Sequence, residues 1–360
     1  MTVGFIGLGL IGGSIAKTLR RVSPNTRIIA YNRTRSVLDA AREDNIVDLA
    51  VDDVDKRFAV CDIIFLCVPV ITMIDYIKKL KPIMKPGCIL TDVGSTKTEI
   101  HEAVHAAGLD DHFIGGHPMA GSEKTGYANA TDRMIENAWY ILTPAENVPI
   151  QRVSEFSEFI SSLGALPMVL NYKEHDYVVA AISHLPHVVS ASLVNLVHEL
   201  DSPDGTMKAV AAGGFKDITR ISSSSPQMWQ EICLANSENI CILLDRYMRK
   251  LTDFQFAIRN HDKDKLITYF TECKDYRDSF SDVGGSLPQT YRIYVDVPDE
   301  PGVIARAATL LAENDVSLKN IGIVHNRDYE DGVLRIEFYE QDALDRGIQC
   351  LEKKGYTVHK

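Results

Sequence analysis

Short apolar runs alternate with helical patterns over the first part of the chain. Six apolar runs predict strands buried on both faces of a parallel sheet, namely TVGFIG, RIIAYN, DIIFLCV, CILTDVG, HFIGGH and AWYILT. Helical periodicity lies between them, as in IGGSIAKTLRRV and RVSEFSEFISSLG. This alternation predicts a doubly wound α/β domain over residues 1–170.

The pattern changes at about residue 171. Residues 171–281 carry long helical patterns, one of them opened by Ser225 and Pro226, and predict an all-helical second domain. Such a domain often supplies substrate contacts and a dimer surface. Residues 281–289, SDVGGSLPQ, have the composition of a linker. Residues 290–360 predict a β-α-β-β-α-β order and therefore a small α+β domain.

Composition and charge narrow the class of protein. The 360 residues carry a net charge of -11 and no dense Lys/Arg run, which argues against a nucleic-acid partner. The seven cysteines are scattered without a CxxC pair, so we expect reduced thiols and no metal site in a cytoplasmic protein. We expect no secretory signal and no membrane partner, because the longest apolar run, near Leu185 to Val197, contains Pro186, His187 and Asn195.

Three glycines after the first predicted strand indicate a dinucleotide site. Gly7, Gly9 and Gly12 have the G-x-G-x-x-G spacing between a strand and a helix. In such a loop the first glycine permits a tight turn, the second lets the backbone approach a pyrophosphate, and the third lets helix pack on strand. The helix then directs unpaired N–H groups toward the phosphates. The alternative is a purely structural turn.

The end of the second strand bears on which dinucleotide binds. An NAD site usually carries an acidic residue there to hold the ribose 2′-hydroxyl. This chain has Asn32 instead, followed by Arg33 and Arg35. A carboxylate would repel a 2′-phosphate, whereas arginine would bind it. The sequence favours NADP, with NAD as the alternative.

The segment GGHPMAG, residues 115–121, places His117 among glycines and a proline. Such a sequence predicts a tight turn that presents the histidine on a stiff support beside open space. Three further segments carry polar side chains: TDVGSTK at 91–97, SHLPH at 183–187 and GGFKDITR at 213–220. The last two are predicted at helix starts. Taken singly, each of the four segments has a structural explanation. In order, these are a surface histidine in GGHPMAG, a capping serine in TDVGSTK, a half-buried histidine pair in SHLPH and a surface arginine in GGFKDITR.

Taken together and in this order, the motifs resemble the prephenate dehydrogenase family. GLGLIGGS, DVGSTK, GGHPMAGSEKTG, SHLPH, GGFKDITR and MWQEI cover nearly all of residues 1–281. The resemblance implies an N-terminal Rossmann-type domain and oxidative decarboxylation of prephenate to 4-hydroxyphenylpyruvate in tyrosine biosynthesis. It also implies hydride transfer to a nicotinamide cofactor and a homodimer. Residues 290–360, with DVPDEPGVIARAATLLAENDVSLKNIGI, resemble an ACT regulatory domain of ferredoxin-like fold.

The resemblance carries roles onto individual residues. His117 matches the histidine that accepts a hydrogen bond from the ring hydroxyl, Ser95 a serine near it, and Arg220 the arginine that holds a substrate carboxylate. His184 matches a supporting residue, and Trp229 a wall of the site. The other substrate-binding residues are Ser122, Glu123, His187 and Asp217, of which Glu123 and Asp217 are expected to form an ionic network with the arginine. The cofactor site is expected to include the three glycines together with Asn32, Arg33 and Arg35. We also assign to it Leu10, Ile11, Thr34, Val68 and Pro69.

The predicted C-terminal domain suggests an effector site for L-tyrosine, the end product of that pathway. Gly302 in DEPG opens a helix and would offer N–H groups to a carboxylate. Asn320, on the next strand, is expected to contact the amino group of the ligand. The alternative is an inert dimerisation domain, in which the glycine only begins a helix.

Three other functions stay open. Arogenate dehydrogenase is the alternative within the reaction. A dehydrogenase of the β-hydroxyacid or 6-phosphogluconate type shares YNRT but uses a catalytic lysine; Lys216 is the one lysine near Arg220, and that scheme leaves His117 unexplained. A non-catalytic sensor of NADP and an amino acid is the third, and the presence of His117, Ser95 and Arg220 argues against it.

Overall fold

The computed structural model describes residues 1–122, 124–280, 291–298, 300–324 and 332–359. The chain divides into two compact units, Met1–Asp253 and Phe254–Lys360. This division falls within a long helix, Ser237–Arg259, and neither at residue 170 nor at the predicted linker, all of which lies outside the described residues. The predicted three-domain division therefore stays a prediction.

The described strands and helices follow the predicted order closely. The strands are β1 Thr2–Ile6, β2 Arg27–Tyr31, β3 Leu49–Val51, β4 Ile63–Leu66, β5 Ile89–Asp92, β6 Ile114–Pro118, β7 Trp139–Pro144, β8 Leu166–Val169, β9 Tyr291–Val297, β10 Leu318–Val324, β11 Gly332–Phe338 and β12 Val358–His359. The helices are α1 Leu10–Val22, α2 Arg35–Glu43, α3 Val70–Leu80, α4 Thr98–Ala107, α5 Ile150–Ser162, α6 Tyr172–Val179, α7 Leu185–Leu200, α8 Thr206–Val210, α9 Gly213–Thr219, α10 Pro226–Ala235, α11 Ser237–Arg259, α12 Lys263–Ser279, α13 Val303–Ala312 and α14 Gln341–Lys353.

A five-stranded parallel sheet in the order β3-β2-β1-β4-β5 forms the centre of the first unit. Its middle strands are apolar on both faces, and Val3, Phe5, Ile64 and Phe65 are fully buried between helices. Because parallel strands end at the same edge, the loops after β1, β2, β4 and β5 lie together. This arrangement confirms the predicted Rossmann-like domain.

The prediction that β6 and β7 belong to the parallel sheet is wrong for both strands, which pair antiparallel in a three-stranded sheet, β6-β7-β8. The segment HFIGGH joins the parallel sheet only at its start, where Phe113 forms a single parallel bridge with Leu90 of β5. A parallel pair requires a crossover that returns the chain to the starting end, usually through a helix. The described residues between β6 and β7, 119–122 and 124–138, hold only a short 3-10 turn, so the chain returns antiparallel.

The helical region begins with one continuous helix, as its long helical pattern predicted, whereas the helix start predicted at SHLPH is wrong. α6, a π turn at Ala180–His184 and α7 together run from Tyr172 to Leu200 through Pro186. Proline cannot donate the hydrogen bond that an α-helix needs, and a wider turn next to it accommodates the lost bond. His184 therefore lies inside a helix and not at its start.

This long helix is also apolar enough to cross a membrane, judged by length and composition alone, with a mean hydropathy of 1.5. Packed helices of globular proteins meet the same criterion. Its first half packs on α4 and β7 and buries His175, Asp176 and His184. The helix is thus partly built into the core of the first unit.

Two other helix predictions have different outcomes. Ser225 accepts a hydrogen bond from the N–H of Met228 at the start of α10, as the Ser-Pro sequence predicted. Arg220, in contrast, follows the end of α9, where a 3-10 turn begins. The glycines of GGFKDITR begin α9, and Arg220 lies two turns later.

In the second unit, β9 to β12 form an antiparallel sheet in the order β10-β11-β9-β12. Leu311 of α13, Leu351 of α14 and Phe338 are buried with the inward-facing residues of the sheet. The β-α-β-β-α-β order predicted for this region is confirmed.

Candidate active site

The glycine loop after β1 has the geometry that a dinucleotide needs. Gly7 has a φ of +97°, and a Cβ there would lie 2.4 Å from the carbonyl oxygen of Cys67. A Cβ at Gly12 would lie 2.6 Å from the carbonyl oxygen of Gly7, so only glycine lets α1 pack this closely. A Cβ at Gly9 would meet nothing within 4 Å, which leaves open space at the first turn of α1. The loop therefore fits a pyrophosphate.

The predicted ribose-binding residues lie at the end of β2, and each has a different environment. Asn32 Oδ1 accepts the N–H of Leu8 at 3.0 Å, so this side chain holds the glycine loop in place. Arg35 is paired with Asp39 on its own helix at 3.1 Å. Arg33 is exposed and makes no ion pair within the described part of the chain. Of the two arginines, Arg33 is the better placed to meet an added phosphate.

A cavity of about 690 Å³ runs from the glycine loop to the helical region. Ser95, His117, His187 and Arg220 all line it, although up to 125 residues separate them in sequence. The other predicted residues in its lining are Gly9, Leu10, Ile11, Gly12, Val68, Ser122, His184 and Trp229.

Several predicted residues lie elsewhere. Pro69 lines a neighbouring cavity of about 440 Å³, which shares Val68 and Ser95 with the first. Asp217 is exposed on α9 and lies outside the described lining of both cavities, so its predicted ionic role stays a prediction. Glu123 lies outside the described residues. Thr34 is exposed and precedes α2.

His117 lies on strand β6, opposite Ile141 of β7, and not in a tight turn. Its glycines are needed for close packing. A Cβ at Gly115 would lie 2.3 Å from Thr143 Oγ1, and one at Gly116 would lie 2.5 Å from the carbonyl oxygen of Asp92. The histidine is thus fixed by a sheet instead of a loop, and it does border open space, as predicted.

A buried ion pair lies directly beneath this strand. Lys97 and Asp92 are both fully buried and joined by a very short contact between Nζ and Oδ2. Lys97 Nζ also donates to the carbonyl of Gly116 at 2.9 Å, and Asp92 Oδ1 accepts the N–H of Gly116 at 3.1 Å. Burial lowers the pKa of Lys97, and the charge of Asp92 opposes that shift. The pair fastens β6 to the end of β5.

His117 contacts a second histidine that the sequence analysis missed. Its Nδ1 lies 2.8 Å from Nε2 of His175, and Nδ1 of His175 lies 2.8 Å from Oδ1 of Asp176. Burial lowers the pKa of His117 well below its usual range, and the neighbouring His175 and Lys97 lower it further. His117 is therefore neutral near pH 7 and can accept a hydrogen bond.

The two histidines of SHLPH occupy different positions. His184 is buried, with its Nδ1 3.2 Å from Nδ2 of Asn236. His187 stacks on Trp229 with ring centroids 3.6 Å apart. Burial and the positive charge of Arg220 lower the pKa of His187. The indole N–H of Trp229 is buried and has no partner among the described residues. His184 supports the wall of the cavity, and His187 and Trp229 form its surface.

The predicted effector residues lie in the second unit. Gly302 has a φ of +87° and caps α13, which explains the glycine, because other residues are strained in this conformation. Asn320 is exposed on β10, in register with Glu337 of β11. A cavity of about 300 Å³ in this unit is lined by residues 296–298 and 354–357 and includes neither of them.

Comparisons with known proteins place the chain in a family context. The family model described as prephenate dehydrogenase, nucleotide-binding domain, matches residues 15–169. The model described as prephenate dehydrogenase, dimerization domain, matches residues 171–272. Prephenate dehydrogenase of Bacillus subtilis is 37% identical, over 98% of this chain and 96% of the relative. The Lactococcus lactis enzyme is 35% identical, over 98% of both chains.

Solved structures extend this similarity to the fold. The Aquifex aeolicus prephenate dehydrogenase in complex with hydroxyphenyl propionate and NAD+ is 31% identical, with a TM-score of 0.73. The match covers 78% of this chain and 98% of that one. Synechocystis arogenate dehydrogenase is 32% identical with a TM-score of 0.71, covering 78% of this chain and all of that one.

Proposed function

The chain belongs to the prephenate dehydrogenase family, and we propose on that basis that it oxidises and decarboxylates prephenate to 4-hydroxyphenylpyruvate. The observation that carries the proposal is one cavity that joins a dinucleotide loop to a neutral histidine and an arginine, lined by Gly9, His117 and Arg220. The bound nicotinamide would accept the hydride from the ring carbon that bears the hydroxyl. The ring carboxylate leaves as CO2, and the ring becomes aromatic.

His117 has the properties that this reaction requires at the hydroxyl. Loss of hydride from a carbinol carbon places positive charge on its oxygen, so a hydrogen-bond acceptor at the hydroxyl stabilises the transition state. The phenol product keeps its proton, and the histidine therefore needs only to share that proton while the charge develops. A neutral ring fixed on β6 can do so at physiological pH.

Arg220 lines the same cavity and supplies positive charge to it. An arginine carries a permanent positive charge in proteins, and a carboxylate can bind its guanidinium through two hydrogen bonds. Its charge acts on His187, which borders the same space. Arg220 therefore binds a carboxylate of the substrate in the cavity that His187 and Ser95 also line.

Replacing Arg220 with lysine raises KM for prephenate by about tenfold or more, since the charge is kept but the planar two-point contact is lost. The KM for the cofactor stays unchanged. Steady-state kinetics in both substrates measure the two constants. Arg249→Lys, at an exposed position of the same helical region, is the control. An unchanged KM for prephenate removes Arg220 from the substrate site.

For the cofactor we infer NADP over NAD. Asn32 brings no charge to the ribose site, and exposed Arg33 lies next to it without an ion-pair partner in the described chain. In the Arg33→Ala variant, binding of NADP weakens by about 1.5–3 kcal/mol, or roughly 10- to 150-fold, while binding of NAD changes little. Fluorescence titration with each dinucleotide measures both constants.

Arg35→Ala is the matched control for this measurement, because the guanidinium of Arg35 is already paired with Asp39. We expect it to affect NADP less than Arg33→Ala does. A wild-type preference for NAD, or equal weakening of both dinucleotides by Arg33→Ala, overturns the inference.

The experiment that tests the proposed function compares prephenate with arogenate. Purified full-length protein is mixed with either substrate and either dinucleotide, and the absorbance of reduced nicotinamide is followed. Prephenate with NADP should give the highest kcat/KM. Turnover of arogenate alone would reassign the substrate, and absence of turnover with both would contradict the proposed function.

We also infer that the protein is a homodimer that acts in the cytoplasm. The region matched by the dimerization-domain model leaves large apolar side chains exposed, including Ile182, Val210, Ile218 and Leu234, which are 63–72% accessible. An apolar surface of this extent is typical of an interface between subunits.

For the C-terminal domain we infer an ACT-type sensor of L-tyrosine. Its strand order is that of a ferredoxin-like fold, and Gly302 caps α13, whose first N–H groups could meet a carboxylate. Full-length enzyme should be inhibited by L-tyrosine, and Asn320→Ala should raise the half-inhibitory concentration by about tenfold or more, since a hydrogen bond to a charged amine is lost. Gln349→Ala, on the exposed face of α14, is the control. Full activity at saturating tyrosine contradicts this inference.

A further inference from the structure

A chain of hydrogen bonds runs from His117 into the core of the first unit. It passes from His117 Nδ1 to His175 Nε2 and from His175 Nδ1 to Asp176 Oδ1, at 2.8 Å in each step. Asp176 in turn accepts the N–H of Lys97 and the N–H and hydroxyl of Thr98, at 2.6–2.8 Å. His175 and Asp176 are 0% and 1% exposed. Water therefore has no access to the hydrogen bond between His175 and Asp176.

The donors around Asp176 determine which atom donates in each of these hydrogen bonds. Burial alone would raise the pKa of Asp176, but the hydrogen bonds from His175 and Thr98 outweigh burial and lower the pKa. The carboxylate is thus ionised and only accepts hydrogen bonds. Nδ1 of His175 must then carry a proton.

The same logic extends to the cavity. Burial lowers the pKa of His175, and this histidine is neutral, so its Nε2 holds a lone pair. His117 must then donate from Nδ1 to His175, which leaves Nε2 of His117 without a proton. His117 lines the cavity, and Nε2 is its one nitrogen left for a ligand.

We propose that His175 and Asp176 are positioning residues that hold His117 in the Nδ1–H tautomer, so that its Nε2 faces the substrate as an acceptor. The effect on catalysis rests on the proposed function, whereas the tautomer follows from the hydrogen bonds alone. The buried carboxylate also stabilises, through His175, the positive charge that His117 takes up when the substrate hydroxyl donates to it. An orienting partner of this kind determines the tautomer and the ring plane of a histidine.

Other charged groups face the same histidine, and none of them can replace this pair. Lys97 approaches from the start of α4 and His184 from the π turn, and both disfavour a positive charge on His117. Asp92 is already engaged by Lys97 and by two backbone N–H groups. Among the described neighbours, Asp176 is therefore the anion that acts on His117 through a hydrogen-bonded ring.

The first test is spectroscopic and needs no substrate. Full-length protein labelled with ¹⁵N-histidine is measured by NMR, and the signals of His117 are assigned by their loss in His117→Asn. We expect Nδ1 of His117 to be protonated and Nε2 to be bare at neutral pH. The opposite tautomer in the wild-type protein overturns the inference. Because no turnover is involved, this result is independent of whether prephenate is the substrate.

The second test is kinetic. His175→Phe removes both hydrogen bonds and should lower kcat about 10- to 100-fold, with KM for prephenate changed by less than about threefold. His175→Gln keeps one donor and one acceptor, so it should recover most of kcat. In His175→Phe the acid limb of the pH–rate profile should also move to lower pH, since the carboxylate no longer reaches His117. A kcat for His175→Phe within about threefold of wild type contradicts the proposal.

His101→Gln is the matched control. His101 is another buried histidine, bonded to Thr143 at 3.0 Å and outside the chain of hydrogen bonds. Thermal melting of all three variants separates loss of stability from loss of positioning. If His101→Gln lowers kcat and shifts the pH profile as His175→Phe does, the effect is structural and the proposal fails.

Discussion

Replacing His117 with asparagine lowers kcat for prephenate by about two to four orders of magnitude, the usual contribution of a positioned proton acceptor. Asparagine is polar and similar in length, so β6 and its pairing with β7 stay intact. Its amide oxygen can accept a hydrogen bond, but it cannot take up positive charge from the substrate oxygen as an imidazole does. KM for prephenate should change little, because Arg220 still binds the carboxylate. Steady-state kinetics with saturating cofactor give both constants.

The control for this variant is His105→Asn. His105 is an exposed histidine on α4 that pairs with Asp110, away from the cavity. It should leave kcat unchanged. A folded His117→Asn protein with turnover near that of wild type would show that another group accepts the hydrogen bond from the substrate hydroxyl.

The glycine loop shows what the sequence can predict. Gly7 and Gly12 are separated by five positions, and Cys67, directly after β4, leaves no room for a Cβ at either of them. The contact is distant in sequence, but the G-x-G-x-x-G spacing is a recurrent motif between a strand and a helix, so the spacing alone was enough to predict a glycine loop here. The order of strands and helices was also predictable, because apolar residues recur at a different spacing in a strand than in a helix.

His117 shows where local interpretation fails. The strand predicted for HFIGGH is confirmed, but the tight turn predicted for GGHPMAG is wrong, because Gly115 and Gly116 lie in that strand. Glycine is required at both positions because Thr143 and Asp92 leave no room for a Cβ, and neither residue belongs to the same segment of the sequence. The helix start predicted at SHLPH gave the same kind of error, because a π turn carries the helix through His184 and past Pro186. In both cases tertiary packing determines what the residue does.

The residues that support His117 could not be recognised from the sequence. Asp176 and Lys97 are 79 positions apart, and no motif in the sequence links the two positions. A His-Asp pair near the start of a helix is common on protein surfaces, and only burial makes it informative. The one available signal was the position of Lys97 at the end of DVGSTK, directly before α4. From the sequence alone, this position is equally typical of an exposed lysine.

The buried pair of Lys97 and Asp92 leads to the largest expected change in stability. Lys97→Met keeps the length of the side chain but leaves the Asp92 carboxylate in the core without its cation, which should cost about 3–5 kcal/mol in the free energy of unfolding. Lys85→Met is the matched control, because Lys85 pairs with Asp62 at the surface, where both side chains are about 40% exposed. An exposed pair contributes about 0–1 kcal/mol. Urea denaturation of both variants measures the difference.

A double variant identifies the cause of that loss. If the stranded charge destabilises the protein, then adding Asp92→Asn to Lys97→Met removes the charge and should recover part of the stability, although the N–H groups of Gly94 and Gly116 keep only one good acceptor. If the double variant is less stable than Lys97→Met alone, the hydrogen bonds of Asp92 to these glycines matter more than its charge. Equal losses in Lys97→Met and Lys85→Met would contradict the prediction, since burial would then make no difference. Because Lys97 also donates to the carbonyl of Gly116, a confirmed loss would mean that the strand carrying His117 is held in place by this buried pair.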